Sequence, residues 1–284
     1  MEFLSRFLGL TTVARRTSPQ APVKELISRY QEAAMSGPRR RDFHSHASTT
    51  KTLISITVFL IVVVSICTLP TFPHALAATI VSDDFNDNSI DTAKWTTNLI
   101  SCCLDTNVPL AETSQQLEIG PLLQNVNGYS HRGLSTVNTY NFDDTYAYVE
   151  LVQAPASNTN AVAIFSVCSD LFLCYRIYET AGNLIGVRRT PIGRGGVETV
   201  LFSISYDTTD HRFLRIRNDS GNLHMDTAPG TGGVPGTWTQ QYSEVWNSSI
   251  STSAIIFELK GGTSQVEANS PGTVIFDNFV AATP

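Results

Sequence analysis

From residue 146 onward, apolar and polar side chains alternate with a period of two, in short runs broken by turn residues. The runs are YAYVELVQ (146–153), AVAIFSVC (161–168), FLCYRIYE (172–179), LIGVRR (184–189), ETVLFSIS (198–205), HRFLRIR (211–217), LHMDTA (223–228), SAIIFELK (253–260) and TVIFDNFV (273–280). Ala154-Pro155, Ala181-Gly182-Asn183 and NDSGN (218–222) stand between them, where the chain must reverse. Such alternation predicts strands with one buried face, because successive side chains of a strand point to opposite sides. No stretch after residue 78 has the spacing of an amphipathic helix, and no internal repeat is evident. About a dozen short strands in roughly 200 residues predict an all-β fold, a two-sheet antiparallel sandwich.

The first 77 residues follow another pattern. LISITVFLIVVVSICTL (53–69) is uncharged and is followed by Pro70 and by the A-x-A site Ala75-Leu76-Ala77. Residues 1–51 hold nine Lys and Arg against four Asp and Glu, whereas residues 78–284 hold ten against twenty-one. A basic flank, an apolar run and a small-residue site together predict a signal peptide cleaved after Ala77. The run also reaches the short limit of a bilayer span, so an uncleaved signal anchor, with its basic side inside, is the alternative. Residues 1–52 then form a basic, disordered extension, and Met35 is a second candidate start. Arg40-Arg41 hints at a twin-arginine signal but lies far ahead of the apolar run.

Either route places residues 78–284 outside the cell, secreted or tethered to the outer face of the membrane through 53–69. That length suits one domain with a real core. Its net charge of about −11 argues against nucleic acid and bare anionic membrane as partners. Four cysteines remain after cleavage, Cys102, Cys103, Cys168 and Cys174. An oxidising compartment favours disulfides among them, and all three pairings stay open. Their spacing, with no histidine nearby, does not suit zinc.

Familiar catalytic motifs are absent. There is no H-E-x-x-H around His131, His211 or His224, no G-x-S-x-G and no phosphate loop. GTGGVPG (230–236) contains Pro235 and lacks the dinucleotide-binding spacing, so it reads as a loop. A glycosidase on a β-sandwich would carry E-x-D-x-x-E on one strand, with its carboxylates alternating into a cleft. Neither Glu150 nor Glu258 has that company.

SDDFNDNSIDTAKW (82–95) crowds acidic and amide side chains ahead of Trp95. An EF-hand loop starting at Asp84 would need Gly at its sixth position and Glu at its twelfth, where Ser89 and Trp95 stand. The stretch instead resembles the opening of concanavalin A-like jelly-roll domains, the group that includes the laminarinase–lichenase hydrolases and laminin-G-like modules. QQLEIG (115–120), HRFLRIRNDSGNLHMDTAPG…GTWT (211–239) and VIFDNFV (274–280) are similar to other parts of that fold. The resemblance implies a jelly roll whose first and last strands lie side by side. It also implies a structural calcium held by Asp277 with residues near Asp83 and Asp84. Without E-x-D-x-x-E, the hydrolase activity does not carry over. Trp95 reads as core.

For a sugar-binding sandwich, the candidates are aromatic platforms and hydroxyl-binding arginines: Trp238, Tyr242 and Trp246 in TWTQQYSEVW, Arg215 and Arg217 in HRFLRIR, and Arg176 and Tyr178 in CYRIY. Alternation sets Phe213, Arg215 and Arg217 on one face, with Leu214 and Ile216 on the other. Asn218-Asp219-Ser220 and Asn247-Ser248-Ser249 are sequons expected in surface turns. The sequence therefore predicts a non-catalytic binding module for polysaccharide or glycoconjugate. Its alternatives are an adhesive domain binding a cell-surface protein, and a carbohydrate-active enzyme with an unfamiliar site.

Overall fold

The computed structural model describes residues 78–284 other than 101–102, 125–127, 193–194, 264 and 268. The basic extension and the signal or anchor segment expected over 1–77 lie outside the described residues. The strands are β1 (Thr79–Asp83), β2 (Trp95–Thr96), β3 (Leu110–Thr113), β4 (Gln116–Ile119), β5 (Ser130–Thr136), β6 (Thr145–Gln153), β7 (Ala161–Asp170), β8 (Leu173–Thr180), β9 (Asn183–Ile192) and β10 (Gly195–Ser205). They continue with β11 (Phe213–Asp219), β12 (Asn222–Ala228), β13 (Gly230–Thr231), β14 (Val234–Pro235), β15 (Thr239–Val245), β16 (Ile256–Thr263) and β17 (Val274–Ala282). No helix occurs among the described residues.

Two antiparallel sheets result. The first runs β15-β12-β11-β6-β17-β4-β3, with β1 also on β17, and the second runs β10-β9-β8-β7-β16-β5-β2. Among the described residues, four hairpins close on two-residue turns with both residues at positive φ, at Ser114-Gln115, Ala181-Gly182, Ser220-Gly221 and Gly232-Gly233. All eight residues have φ between 50° and 77°. Such turns match the right-handed twist of the strands they join, which is why small and polar residues sit there.

The first and last strands do lie side by side. One edge of β17 serves two partners, β4 at Val274–Phe276 and β1 at Phe279–Ala282. A bulge at Asp277 and Asn278, the latter at φ 48°, separates the two stretches. GTGGVPG is no plain loop, because it folds back as the small β13–β14 hairpin.

The apolar halves of the alternating strands meet between the sheets. Trp95 stands edge-on to Phe279 at 5.1 Å, and Phe257 and Phe165 close on the same ring at 5.5 and 6.4 Å. All four are fully buried. Cys168 and Cys174, opposite each other on β7 and β8, are disulfide-bonded, which excludes the two crossed pairings. Cys103 is also disulfide-bonded. Asn218 is a correction to the surface-turn expectation. It lies within β11 and is 4 % exposed, so the acceptor asparagine is buried although Asp219 and Ser220 are exposed.

Candidate functional site

Cross-strand register builds the site. On the outer face of the second sheet, Ser135, Glu258, Ser166, Arg176 and Val187 form one row across β5, β16, β7, β8 and β9. The next row is Gly133, Lys260, Ile164, Tyr178 and Ile185, and His131, Gly262, Val162 and Thr180 begin a third. Between these residues along each strand stand Leu134, Phe257, Leu259, Phe165 and Ile177, all in the core. One period-two pattern therefore produces both the core and a polar outer surface.

Above these rows lies a cleft of about 590 Å³, lined among others by Tyr129, His131, Asn160, Tyr178, Arg189 and Gln265. Buried charges lie at and beneath its floor. Glu258 is wholly buried and accepts hydrogen bonds from the Ile100 N–H at 2.7 Å and the Ser135 hydroxyl at 2.9 Å. Lys260 Nζ, on a residue 2 % exposed, is 3.6 Å from Glu258 Oε2. Arg176, 4 % exposed, donates from Nη1 to Glu198 at 2.9 Å. Burial pulls Lys260 down to about 8, and Arg176 and Arg189 add to the fall against the opposing pull of Glu258. Burial, then Lys260 and Arg176, drives His131 down to about 3, so it is neutral at physiological pH. Burial and the neighbouring Glu198 push Tyr178 up to about 12, keeping its hydroxyl protonated.

Of the residues singled out from the sequence, only Arg176 and Tyr178 lie here. Arg215 and Arg217 face outward from the first sheet, where both donate through Nε to the buried Asp226, at 2.9 and 3.0 Å. Trp238 covers Arg215, with the guanidinium carbon 4.0 Å from its ring centroid. Tyr242 packs against the core and donates to Glu244 Oε2 at 3.2 Å. Trp246 is buried against Tyr175, and its indole N–H donates to the Ile250 carbonyl at 2.7 Å. The sandwich thus puts two of the seven candidates in the cleft and five outside it.

His131, Arg189, Glu258 and Lys260 did not stand out in the sequence. The available signal was FELKG, where Phe257 and Leu259 alternate with two charges. On an ordinary half-exposed strand those charges would simply meet water.

The residues proposed for a cation lie at the end of β1 and on β17. Asp277 lies directly opposite Glu150 across the strand pair. Burial pushes the Asp277 carboxyl up to about 6, and the charges of Glu150 and Asp84 add to the rise. Asp277 and Asp84 thus suit a cation, which would relieve that crowding. Asp83 suits one poorly, because its carboxylate accepts from the Phe85 N–H at 3.0 Å and the Trp95 indole N–H at 2.8 Å. Lys94 lies 3.6 Å from the same group. Among the described residues, no three His, Cys, Asp or Glu groups are arranged to hold a metal. A cation at Asp277 would therefore lean on backbone oxygens.

No family model and no curated protein matches the chain. Solved structures do. The CBM2 module of the evolved Dit of Lactobacillus casei BL23 phage J-1 superposes with a TM-score of 0.52 at 10 % identity, covering 73 % of this chain and 97 % of that one. Beta-agarase A from Zobellia galactanivorans gives 0.52 at 11 %, covering 72 % and 90 %. An immunostimulatory antigen and pseudo beta-1,3-glucanase of Mycobacterium tuberculosis gives 0.50 at 11 %, covering 73 % and 99 %. The fold is accordingly the concanavalin A-like jelly roll that the sequence resembles.

Proposed function

We propose that the chain is a non-catalytic glycan-binding module that works outside the cell, secreted or tethered. The observation that carries this reading is the cleft on the second sheet. It offers the rings of Tyr129 and Tyr178 for stacking on a sugar face, and Asn160, Gln265 and Arg176 for hydrogen bonds to hydroxyls. Tyr129 is mostly exposed at the rim, as a platform for a ligand should be.

Hydrolysis would need two free carboxylates facing one bond, one to protonate the leaving oxygen and one to attack or activate water. The carboxylates of this face, Glu198 and Glu258, are instead paired with Arg176 and Lys260. Glycan-related proteins among the structural neighbours, a CBM2 module and a pseudo-glucanase included, lend the reading general support. The Cys168–Cys174 disulfide supports an oxidising compartment. A structural calcium at Asp277 and Asp84, bracing the joint between β1 and β17, belongs to the same proposal.

Retention of the purified protein on a panel of insoluble and gel-embedded polysaccharides, with calcium and with chelator, tests the reading. Specific retention on one or more of them is expected. Passage through all of them unretarded would overturn it for those glycans and shift the weight to protein adhesion.

A further inference from the structure

We infer that the cleft selects an acidic sugar, gripping its carboxylate or sulfate, over a neutral one; this rests on the glycan-binding reading and narrows it. The domain as a whole repels anions, since residues 78–284 carry ten basic against twenty-one acidic side chains. The cleft runs against that balance. Arg176, Arg189 and Lys260 line it, against Glu198 there and Glu258 on the same face. The neutral His131 does not offset them.

Polar atoms left without partners point the same way. Arg176 Nε, Arg189 Nε, Ser166 Oγ and both ring nitrogens of His131 are buried with no hydrogen-bond partner among the described residues. All belong to this one face. A guanidinium N–H can be satisfied only by an acceptor, and an anionic oxygen is the strongest one available. Glu198 engages Arg176 through Nη1 and leaves its Nε over.

Arg189 is held ready. Its guanidinium carbon lies 4.9 Å from the centre of the Phe172 ring. Gly196 makes the room, since a Cβ there would fall 2.5 Å from Arg189 Nε and 2.8 Å from Phe172 Cδ1. Arginine pre-positioned against an aromatic loses less freedom when it grips a planar anion.

Equilibrium binding of the purified protein to four labelled oligosaccharides tests the inference: oligogalacturonate, its methyl ester, a chondroitin sulfate fragment and a neutral laminari-oligosaccharide. The expected result is binding of an acidic oligosaccharide about tenfold or more tighter than of the ester and the neutral one, weakening as salt rises. The carboxylate and sulfate arms show which group is gripped. Arg189→Gln, with an unchanged circular dichroism spectrum, should lose about tenfold for the acidic ligand and little for any neutral one. Should that variant misfold, Ser166→Ala provides the second test, with a smaller loss in the same direction. Equal affinity for acid and ester would overturn the inference and leave the glycan-binding reading standing. Acid binding indifferent to both substitutions would also overturn it. Binding of none of the four would sink both for these sugars.

Discussion

The indole N–H of Trp95 donates to Asp83 Oδ2 at 2.8 Å, and Asp83 Oδ1 accepts the N–H of Phe85 at 3.0 Å. One carboxylate thus fixes both ends of the acidic opening stretch, and its two partners, Phe85 and Trp95, are buried. SDDFNDNSIDTAKW is first of all the clasp that seats Trp95 on Phe279.

Asp83→Ala leaves a buried indole donor without an acceptor. It should lower unfolding free energy by about 1–3 kcal/mol, read from urea denaturation by tryptophan fluorescence. A wild-type midpoint in this variant would mean that Asp83 is free for another role, such as a cation ligand.

Glu179 makes stability depend on pH. It is buried on the core side of β8, accepts the Gly182 N–H at 2.9 Å, and burial raises its carboxyl from 4.5 to about 7. The unfolded chain gives up that proton near pH 4.5 while the folded one keeps it to about 7, so ionisation favours unfolding. Stability should fall as pH rises between those values, by on the order of 3 kcal/mol from this group. Glu179→Gln should flatten that fall and melt higher than wild type at pH 8, with the difference vanishing near pH 4.

The proposed calcium has its own readout. Anything that binds only the folded state raises its stability by mass action. Millimolar calcium should raise the melting temperature and chelator should lower it again. Asp277→Asn should abolish the difference and, by relieving repulsion with Glu150 and Asp84, melt higher than wild type in chelator. A melting temperature indifferent to calcium would remove the cation from the account.

Gly133 faces the cleft in the row of Lys260 and Tyr178, where β5 and β16 approach closely. A Cβ there would collide with the Leu259 carbonyl oxygen and lie 2.7 Å from Lys260 Cα. Gly133→Ala should cost about 1–3 kcal/mol by forcing the two strands apart. Calorimetry would show it as a lowered melting temperature, with no strain in the glycine's own backbone to share the blame.

The strands were legible because a sandwich writes its core into the chain every second residue, as in Phe257, Leu259 and Gly261 against Glu258, Lys260 and Gly262. β15 was not, since neither of its faces is fully buried and TQQYSEV carries no apolar alternation. The cleft was harder still. Alternation shows that Arg176 and Arg215 each point away from a core, and it cannot show that they leave by opposite sheets. That depends on register and strand order, which set β7 between β8 and β16 although about 75 residues separate those two strands in sequence. Trp246 was misleading for a related reason: its indole N–H is satisfied locally by Ile250, so an exposed-looking polar segment hides a core ring.

The central claim is that the cleft of the second sheet binds glycan, and affinity electrophoresis of wild type beside Tyr178→Ala tests it most directly. Run through gels containing acidic and neutral polysaccharides, wild type should be slowed in at least one acidic gel. Tyr178→Ala, which removes a ring from the cleft, should run nearer its mobility in the blank gel. Wild type and variant slowed to the same degree would place binding elsewhere on the molecule, and no retardation in any gel would contradict the claim.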